Sequence, residues 1–392
     1  MAKVLPFKAI RPVRDKVGLV TTRSYISYSK RHLKYKLESN PFSFVHVINP
    51  EGINPSKKRS LKEKYALVKS KFEDFQHKGY FLKDKEPAIY LYRQSYGEVS
   101  FTGLIGLASL EDYEKGIIKR HELTISTREQ MFMDYLNVTR IHAEPVLITY
   151  KGNRQIENVK DKYLKQRPEY EFTTHDEVLH ELWLITDQSD LEELRRSFEL
   201  VDTMYIADGH HRIASSYQLS YLKKDPKYDH VLAYFLPDDQ LVIHGFSRAI
   251  KLGKLSHKEF MDGLKQFYSL KKGLEQNQDQ IGFYYQNQWY TLEERSNSSL
   301  SVEYFTNHIL LDVLKIKDLR KSKQVNYLPS FSARSFMESI VDSGKMDALF
   351  VIPPISMEDL KQTCNQNKVL PPKSTWIEPK LRSALVIYSY DD

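Results

Sequence analysis

The sequence predicts an α/β fold with a mixed sheet in a larger N-terminal part, residues 1–252, and a smaller α+β C-terminal part, residues 253–392. Its 392 residues exceed the roughly 250 to 300 at which one hydrophobic core stops growing, so two parts are expected. Helical and strand patterns alternate along the N-terminal part, which is typical of α/β proteins. From about Leu255 the pattern restarts, which places a soft boundary near residue 252.

The individual elements follow from residue spacing. Apolar residues recur at helical spacing from Ser60 to Lys78, and Gly79 ends this predicted helix. Ala88 to Gln94 and Val99 to Leu107 alternate as strands do, with a turn at Gly97, and so predict a hairpin. The other predicted elements are strands at Val146 to Tyr150, Leu179 to Asp187, Met204 to Ala207, Ile281 to Tyr285, Trp289 to Leu292, Ala348 to Ile352 and Ala384 to Ile387, helices at Leu191 to Glu199 and Lys258 to Tyr268, and a second hairpin of Val231 to Leu236 with Leu241 to His244.

The composition is that of an ordinary globular protein, with 41% hydrophobic and 28% charged residues. The single cysteine, Cys364, excludes an internal disulfide framework and a cysteine-rich zinc site, and favours a reducing, cytoplasmic location. No apolar targeting segment and no run of about 18 apolar residues is present, so no membrane role is expected. The net charge of +7 suits a polyanion, but the basic clusters are typical of solvated faces, so a nucleic-acid partner is not favoured.

The most informative motif lies where a predicted strand meets a predicted helix. Met204 to Ala207 form the strand, and helical spacing begins at His210. At such a turn the backbone N–H groups and the positive end of the helix dipole favour an anion, and a glycine lets a phosphate come close to the backbone. The candidates are Asp208 as a catalytic group and Mg²⁺ ligand, and Gly209, His210, His211 and Arg212 as phosphate or nucleotide contacts.

The alternative is that Asp208 only caps a helix and that the histidines are structural. Two histidines and an arginine in the first turn of a helix oppose its dipole unless an anion compensates them. This local cost favours the interpretation as a phosphate site.

Two further groups of residues have the chemistry of a site. His121 and Glu122 are candidate acid–base groups or metal ligands, with Thr124 as an oxyanion contact; an exposed, capped helix start explains them too. Near the C-terminus, prolines fix a loop in which hydroxyl and ammonium groups can meet an anion, although a rigid turn explains the prolines equally well. The candidates of this loop are Lys373, Ser374, Thr375 and Lys380.

These motifs resemble those of the bacterial and archaeal domain-of-unknown-function family numbered 1015. The matching runs are Pro6 to Pro12, Asn40 to Phe44, Pro50-Glu51, His121-Glu122 with Thr124, His180 to Trp183, Ile206 to Arg212, Pro371 to Thr375 and Pro379-Lys380. The Asp208 to Arg212 run is also similar to the phosphate-binding turn of the ParB and sulfiredoxin-like superfamily, which includes free serine kinases and CTP-hydrolysing partition proteins. This second resemblance implies a ParB/sulfiredoxin-like core, a nucleotide or phosphorylated small-molecule ligand, and Arg11 beside the phosphate site.

The chain departs from the family pattern at two places. Ser24-Tyr25-Ile26 stands where Pro-Tyr-Asp is usual, and Phe246-Ser247-Arg248 where Thr-His-Arg is common, so an acid and a histidine are missing. The resemblance nevertheless implies a phosphoryl-transfer enzyme, a kinase or a phosphatase, acting on a small hydroxy metabolite with serine or phosphoserine favoured. In that hypothesis His121 or Glu122 accepts the hydroxyl proton and a nucleotide and Mg²⁺ are cofactors. The alternative is a non-catalytic nucleotide-responsive or nucleic-acid-binding protein.

Overall fold

The computed structural model describes residues 2–24, 28–52, 59–274, 280–296 and 300–391. They form two compact units: unit 1 is Met1–Arg120, Thr124–Leu241 and Pro379–Asp392, and unit 2 is His121–Leu123 and Val242–Glu378. The division differs from the predicted boundary near residue 252, because the chain returns to unit 1 at its end, where Tyr388 pairs with His142. Tyr25 and Ile26, at the first departure from the family pattern, lie outside the described residues.

The elements of unit 1 come mainly from the first part of the chain. Its strands are β1 (Val4–Leu5), β2 (Ile10–Pro12), β3 (Phe81–Lys83), β4 (Ile89–Tyr96), β5 (Val99–Ser109), β6 (Ile118–Lys119), β7 (Ile141–His142), β8 (Val146–Tyr150), β9 (Tyr170–Thr173), β10 (Leu179–Ile185), β11 (Met204–Asp208) and β12 (His230–Pro237). Its helices are α1 (Val17–Val20), α2 (Lys30–Ser39), α3 (Val45–Ile48), α4 (Leu61–His77), α5 (Leu110–Glu114), α6 (Ser126–Thr139), α7 (Arg154–Leu164), α8 (Gln188–Glu199) and α9 (His210–Lys223).

The remaining elements belong to unit 2, apart from the last strand. The strands are β13 (Val242–His244), β14 (Phe246–Ile250), β15 (Tyr268–Lys272), β16 (Ile281–Tyr285), β17 (Gln288–Glu294), β18 (Val325–Pro329), β19 (Ala348–Val351) and β20 (Trp376–Glu378), and then β21 (Tyr388–Ser389) in unit 1. The helices are α10 (His257–Phe267), α11 (Ser301–Phe305), α12 (Arg334–Asp342) and α13 (Met357–Asn365), with a π-helical segment at Thr306–Val313.

A mixed sheet forms the centre of unit 1, with the strand order β6-β11-β8-β12-β5-β4-β10-β9 and β1 paired to β5. The strand β11 runs parallel to β6 and antiparallel to β8. Apolar side chains of the sheet, among them Ile148, Ile206 and Phe235, pack with those of α7, α8 and α9 in one core. The predicted mixed sheet is confirmed, and it buries β11 up to the residue before Asp208.

Several local predictions for unit 1 are confirmed by the backbone. The helix predicted between Ser60 and Lys78 is α4, which begins after a capping box formed by Ser60 and Glu63. The hairpin predicted around Gly97 is formed by β4 and β5, and this glycine has a φ of +56°. The strand predicted at Ala384 to Ile387 is wrong: Ala384 has a φ of +62°, which interrupts extended backbone, and the strand β21 begins only at Tyr388.

An antiparallel sheet with the strand order β15-β17-β16-β19-β14-β18 forms the centre of unit 2. The hairpin predicted at Val231 to His244 is wrong, because β12 pairs with β5 and β8 whereas β13 pairs with β20 of unit 2. Paired on both sides, β12 has no free edge for β13. Among the described residues, no helix is both long enough and apolar enough to cross a bilayer.

Candidate functional site

The predicted strand-to-helix turn is present at the end of β11. Met204 to Ala207 are buried in the sheet, and α9 begins at His210 directly after Gly209. The pairing of β11 with β8 changes register between Ile206 and Asp208, which is an irregularity of the kind that re-aims side chains beside functional sites. Asp208 is the last residue of β11 and pairs with Leu147 beyond this irregularity, and 46% of its side chain is exposed.

Position 209 requires a glycine, because of both the backbone conformation there and the neighbouring side chain. It has a φ of +96° and a ψ of +26°, a left-handed conformation that residues with a Cβ adopt at a cost. A Cβ at this position would lie 2.8 Å from both Nε and Nη2 of Arg212. The guanidinium group thus packs directly against the glycine, and the glycine fixes where the charge lies.

Arg212 forms two ion pairs at this turn. Its Nη1 lies 2.7 Å from Oε1 of Glu144, and its Nη2 lies 2.9 Å from Oδ2 of Asp208. Burial lowers the pKa of Arg212, but the two carboxylates outweigh this effect and the pKa is raised. Only 18% of the side chain is exposed, so the guanidinium is a permanent positive charge in a fixed position.

Lys380 brings a second cation to the same carboxylate. Its Nζ lies 3.7 Å from Oδ1 of Asp208, and both residues belong to unit 1. The sequence predicted Asp208 and Lys380 in two separate motifs, and the fold places them together. We call the resulting group of two carboxylates and two basic side chains the Arg212 cluster: Glu144, Asp208, Arg212 and Lys380.

The two histidines of the motif occupy the first turn of α9. His210 is buried, with 6% of its surface exposed, and His211 is half-buried. The backbone carbonyls of His211 and Arg212 accept hydrogen bonds from the hydroxyls of Ser215 and Ser216, at 2.6 and 2.8 Å. These side-chain contacts fix the first turn of the helix, and with it the position of both histidines.

The second sequence motif is divided between the units. His121 and Glu122 belong to unit 2, where the buried His121 has its Nε2 3.4 Å from Oγ1 of Thr375 and its carbonyl accepts from the N–H of Leu370 at 2.8 Å. Thr124 belongs to unit 1 and donates its hydroxyl to Glu129 of α6. The assignment of His121 and Glu122 as acid–base groups stays a prediction.

The proline-containing loop lies in unit 2 up to Glu378. Lys373 is exposed and has a φ of +58°, and the hydroxyl of the buried Ser374 donates to the carbonyl of Pro371 at 2.7 Å. Thr375 and His121 are therefore brought together in unit 2, whereas Lys380 of the same sequence motif joins the Arg212 cluster in unit 1.

Arg11 is a buried member of an ionic network. Its Nε lies 2.8 Å from Asp84, and its Nη1 lies 2.9 Å from Glu169 and 2.5 Å from the hydroxyl of Tyr170. Burial lowers its pKa, but the contacts with Tyr170 and with the carboxylate of Asp84 raise the pKa further than burial lowers it. The side chains of Arg11 and Asp84 are both only 8% exposed, so this ion pair is closed to solvent, and a contact between Arg11 and a phosphate stays a prediction.

A resident Mg²⁺ ion does not fit the Arg212 cluster. Both oxygens of Asp208 face cations, Oδ2 towards Arg212 and Oδ1 towards Lys380, and Glu144 faces Arg212 as well. Among the residues that the structure describes, no group of three or more His, Cys, Asp or Glu side chains could hold a metal.

Sequence reasoning missed two charged residues. Glu144 comes directly before Pro145 and the strand β8, and its position before the strand was its only signal. Arg248 is 1% exposed in β14, and the sequence pattern marked it only as the end of a run that departs from the family. Glu144 is distant in sequence from Arg212, and Arg248 is distant from Lys373, whose carbonyl it contacts.

The fold and the site thus define the chain as a mixed α/β protein with an ionic cluster at a strand-to-helix turn. The chain belongs to the family described as "Protein of unknown function (DUF1015)", whose sequence model matches residues 4–316. No curated protein matches the chain.

Solved structures share a distant likeness with the chain. They include a free serine kinase in complex with AMP, with 12% identity, a TM-score of 0.37, and coverage of 71% of this chain and 91% of the kinase. A conserved hypothetical protein from Pyrococcus furiosus has 13% identity, a TM-score of 0.38, and coverage of 73% and 95%. SbnI from Staphylococcus aureus, truncated at its C-terminus, has 11% identity, a TM-score of 0.41, and coverage of 72% and 87%. These values are too low to transfer a function.

Proposed function

We propose that the Arg212 cluster binds the phosphate group of a small molecule, and that the chain is a phosphoryl-transfer enzyme. The observation that supports this most is the convergence of Arg212 and Lys380 on Asp208, at a glycine turn that opens a helix. An arginine and a lysine beside a helix N-terminus are an arrangement that stabilises phosphate oxygens.

The bound phosphate would exchange places with protein carboxylates. Arg212 offers the planar fork that matches two phosphate oxygens, and Lys380 adds a point charge. Both now face Asp208, and 46% of the side chain of Asp208 is exposed to solvent. A phosphate that enters would take over the contacts of Asp208 first, since Glu144 is less exposed, at 30%.

The proposed reaction transfers a phosphoryl group between a nucleotide and the hydroxyl of a small metabolite. In the forward direction the hydroxyl oxygen bonds to phosphorus, the bond from phosphorus to the bridging oxygen of the nucleotide breaks, and the nucleotide leaves with that oxygen. Holding and neutralising the phosphate supplies most of the catalysis in such reactions. The acceptor of the hydroxyl proton stays a prediction from the sequence, which names His121 or Glu122.

Serine as the acceptor and phosphoserine as the product are the substrates that we propose first, and a phosphatase is the same site working with water as the acceptor. AMP is included among the probes because a similar protein is described in complex with it. The proposal itself rests on the geometry of this chain.

Binding is tested by thermal unfolding with phosphate, pyrophosphate, AMP, ADP, ATP and phosphoserine, each with and without Mg²⁺. A ligand at about 100 times its Kd adds roughly 2.7 kcal/mol to the free energy of unfolding. Arg212→Gln and Lys380→Gln should each remove the stabilisation. Arg154→Gln is the matched control, because Arg154 is an exposed arginine that also opens a helix, α7. No stabilisation by any ligand, or equal stabilisation in Arg212→Gln, would refute the phosphate site.

Turnover is tested separately with serine and ATP, with serine and ADP, and with phosphoserine alone. Release of AMP or ADP together with phosphoserine identifies a kinase, and release of free phosphate from phosphoserine identifies a phosphatase. Binding of a nucleotide without either reaction would leave a nucleotide-responsive binding protein and would overturn the enzymatic part of the proposal.

A nucleic-acid-binding protein is the second candidate, and one observation favours it. The helix α2 contains no buried residue and has Lys30, Arg31, Lys34 and Lys36 among its ten residues. Such a surface would retain DNA by releasing counterions, so retention should fall steeply with salt. Failure to retain DNA at about 50 mM salt removes this candidate.

A further inference from the structure

A buried arginine in unit 2 has no acidic partner. Arg248 lies in the middle of β14, paired with β18 on one side and β19 on the other, and is 1% exposed. Within the described part of the chain Arg248 forms no ion pair with a carboxylate, and its buried Nε has no hydrogen-bond partner there. Buried charges are costly unless they are paired, so this guanidinium calls for an explanation.

The contacts that Arg248 does form are with neutral groups. Its Nη1 donates to the carbonyl of Phe246, and its Nη2 donates to the carbonyl of Lys373 at 3.0 Å. The guanidinium carbon lies 5.6 Å from the ring centre of Tyr327. Burial lowers the pKa of Arg248 to about 10, which agrees with a positive charge that no carboxylate compensates.

A second cation lies on the same face of β14. The ammonium of Lys373 is 5.5 Å from the ring centre of Phe246, and Phe246 and Arg248 are two residues apart in the strand, so their side chains share a face. Lys373 forms no ion pair with a described residue, and its φ of +58° is unfavourable for a residue with a side chain. One face of β14 thus carries a buried guanidinium without a carboxylate, and the ammonium of Lys373 lies over the ring of Phe246 on that face.

We propose that this face of β14 is a second oxyanion site, in which the ammonium of Lys373 and the Nε of Arg248 bind one phosphate or carboxylate group of a small molecule. The exposed Lys373 forms the side towards solvent, and its flexible stem lets the anion reach the guanidinium behind it. The proposal concerns unit 2 and does not depend on the Arg212 cluster.

The test follows the Nε–H signals of arginine by NMR in protein labelled with ¹⁵N-arginine. The Arg248 signal is assigned by its loss in Arg248→Lys or, if that variant does not fold, by sequential assignment of the wild type. Inorganic phosphate and acetate are then titrated separately at constant ionic strength. We expect a saturable shift of the Arg248 signal with at least one of them: phosphate alone identifies a phosphate site, and acetate alone a carboxylate site.

The variants separate binding from a structural role. Lys373→Gln should raise the midpoint of the shift about tenfold, whereas the exposed Lys345→Gln, which removes the same charge in unit 2, should leave it unchanged. An Arg248 signal that neither anion shifts at about 50 mM means that Arg248 only anchors the loop at Lys373, and overturns the proposal. The Arg212 signal reports the other site in the same titration, so the two proposals can fail separately.

Discussion

Replacing Gly209 with alanine tests how closely the turn and the guanidinium of Arg212 depend on each other. A Cβ there would lie 2.8 Å from two nitrogens of Arg212, and φ is +96°. The left-handed backbone costs about 1–2 kcal/mol for a residue with a Cβ. Displacing Arg212 weakens a charge-assisted hydrogen bond to Asp208 or Glu144, which adds about 1.5–3 kcal/mol. We therefore expect Gly209→Ala to lower the free energy of unfolding by about 2.5–5 kcal/mol.

Gly116→Ala is the matched control, because Gly116 lies in unit 1 with a φ of +71° and no described atom lies within 4 Å of a Cβ built there. Gly116→Ala should lower the free energy of unfolding only by the cost of the left-handed backbone, about 1–2 kcal/mol. Urea unfolding measures both losses, and phosphate binding to each variant measures the site. Equal losses in the two variants, together with unchanged phosphate affinity in Gly209→Ala, would refute the close packing of Arg212 against the glycine.

Three further predictions concern single side chains. Glu144→Gln should lower stability yet raise phosphate affinity about three- to tenfold, because it releases Nη1 of Arg212 from its ion pair. Calorimetry measures the affinity, with the exposed Glu98→Gln as the control. Weaker phosphate binding by Glu144→Gln would contradict this prediction. Glu122→Gln should reduce turnover about 100-fold while melting stays unchanged, and full activity would remove Glu122 as the base. Burial lowers the pKa of His142 from its ordinary 6.5 to about 3, so its neutral form stabilises the fold above pH 6.5 and this is lost on acidification. Between pH 6.5 and 4.5 His142→Phe should remove about 2 kcal/mol of that loss in urea unfolding, and an unchanged pH dependence would contradict it.

Elements defined by local spacing could be predicted from the sequence. The helix α4 has its capping box, its apolar face and its final glycine within one segment, and the β4–β5 hairpin has its turn at Gly97. Pairing between distant segments could not be predicted in this way. Strand β13 follows β12 closely in sequence, yet it pairs with β20, because β12 already has partners at both edges.

The same distinction between local and distant contacts applies to the candidate site. The turn from Asp208 to Arg212 was predictable, since a buried strand, a glycine and a helix follow one another. Glu144 was not, because its contact with Arg212 depends on β8 lying beside β11 in the sheet. Lys380 was predicted in a different group, with Lys373, and only the return of the chain to unit 1 separates the two.

The ion pairs of Arg212 change what a cationic helix start implies. From the sequence, the cations in the first turn of α9 call for an anion from a ligand. In the structure Glu144 and Asp208 already provide two carboxylates, so the charge alone does not require a ligand. A phosphate must displace at least one of them, and this exchange is favourable only for a group with more charge and more acceptor oxygens than a carboxylate. Dianionic phosphate satisfies both conditions and acetate satisfies neither, so a preference for phosphate over acetate is what distinguishes a phosphate site from a purely structural ion pair.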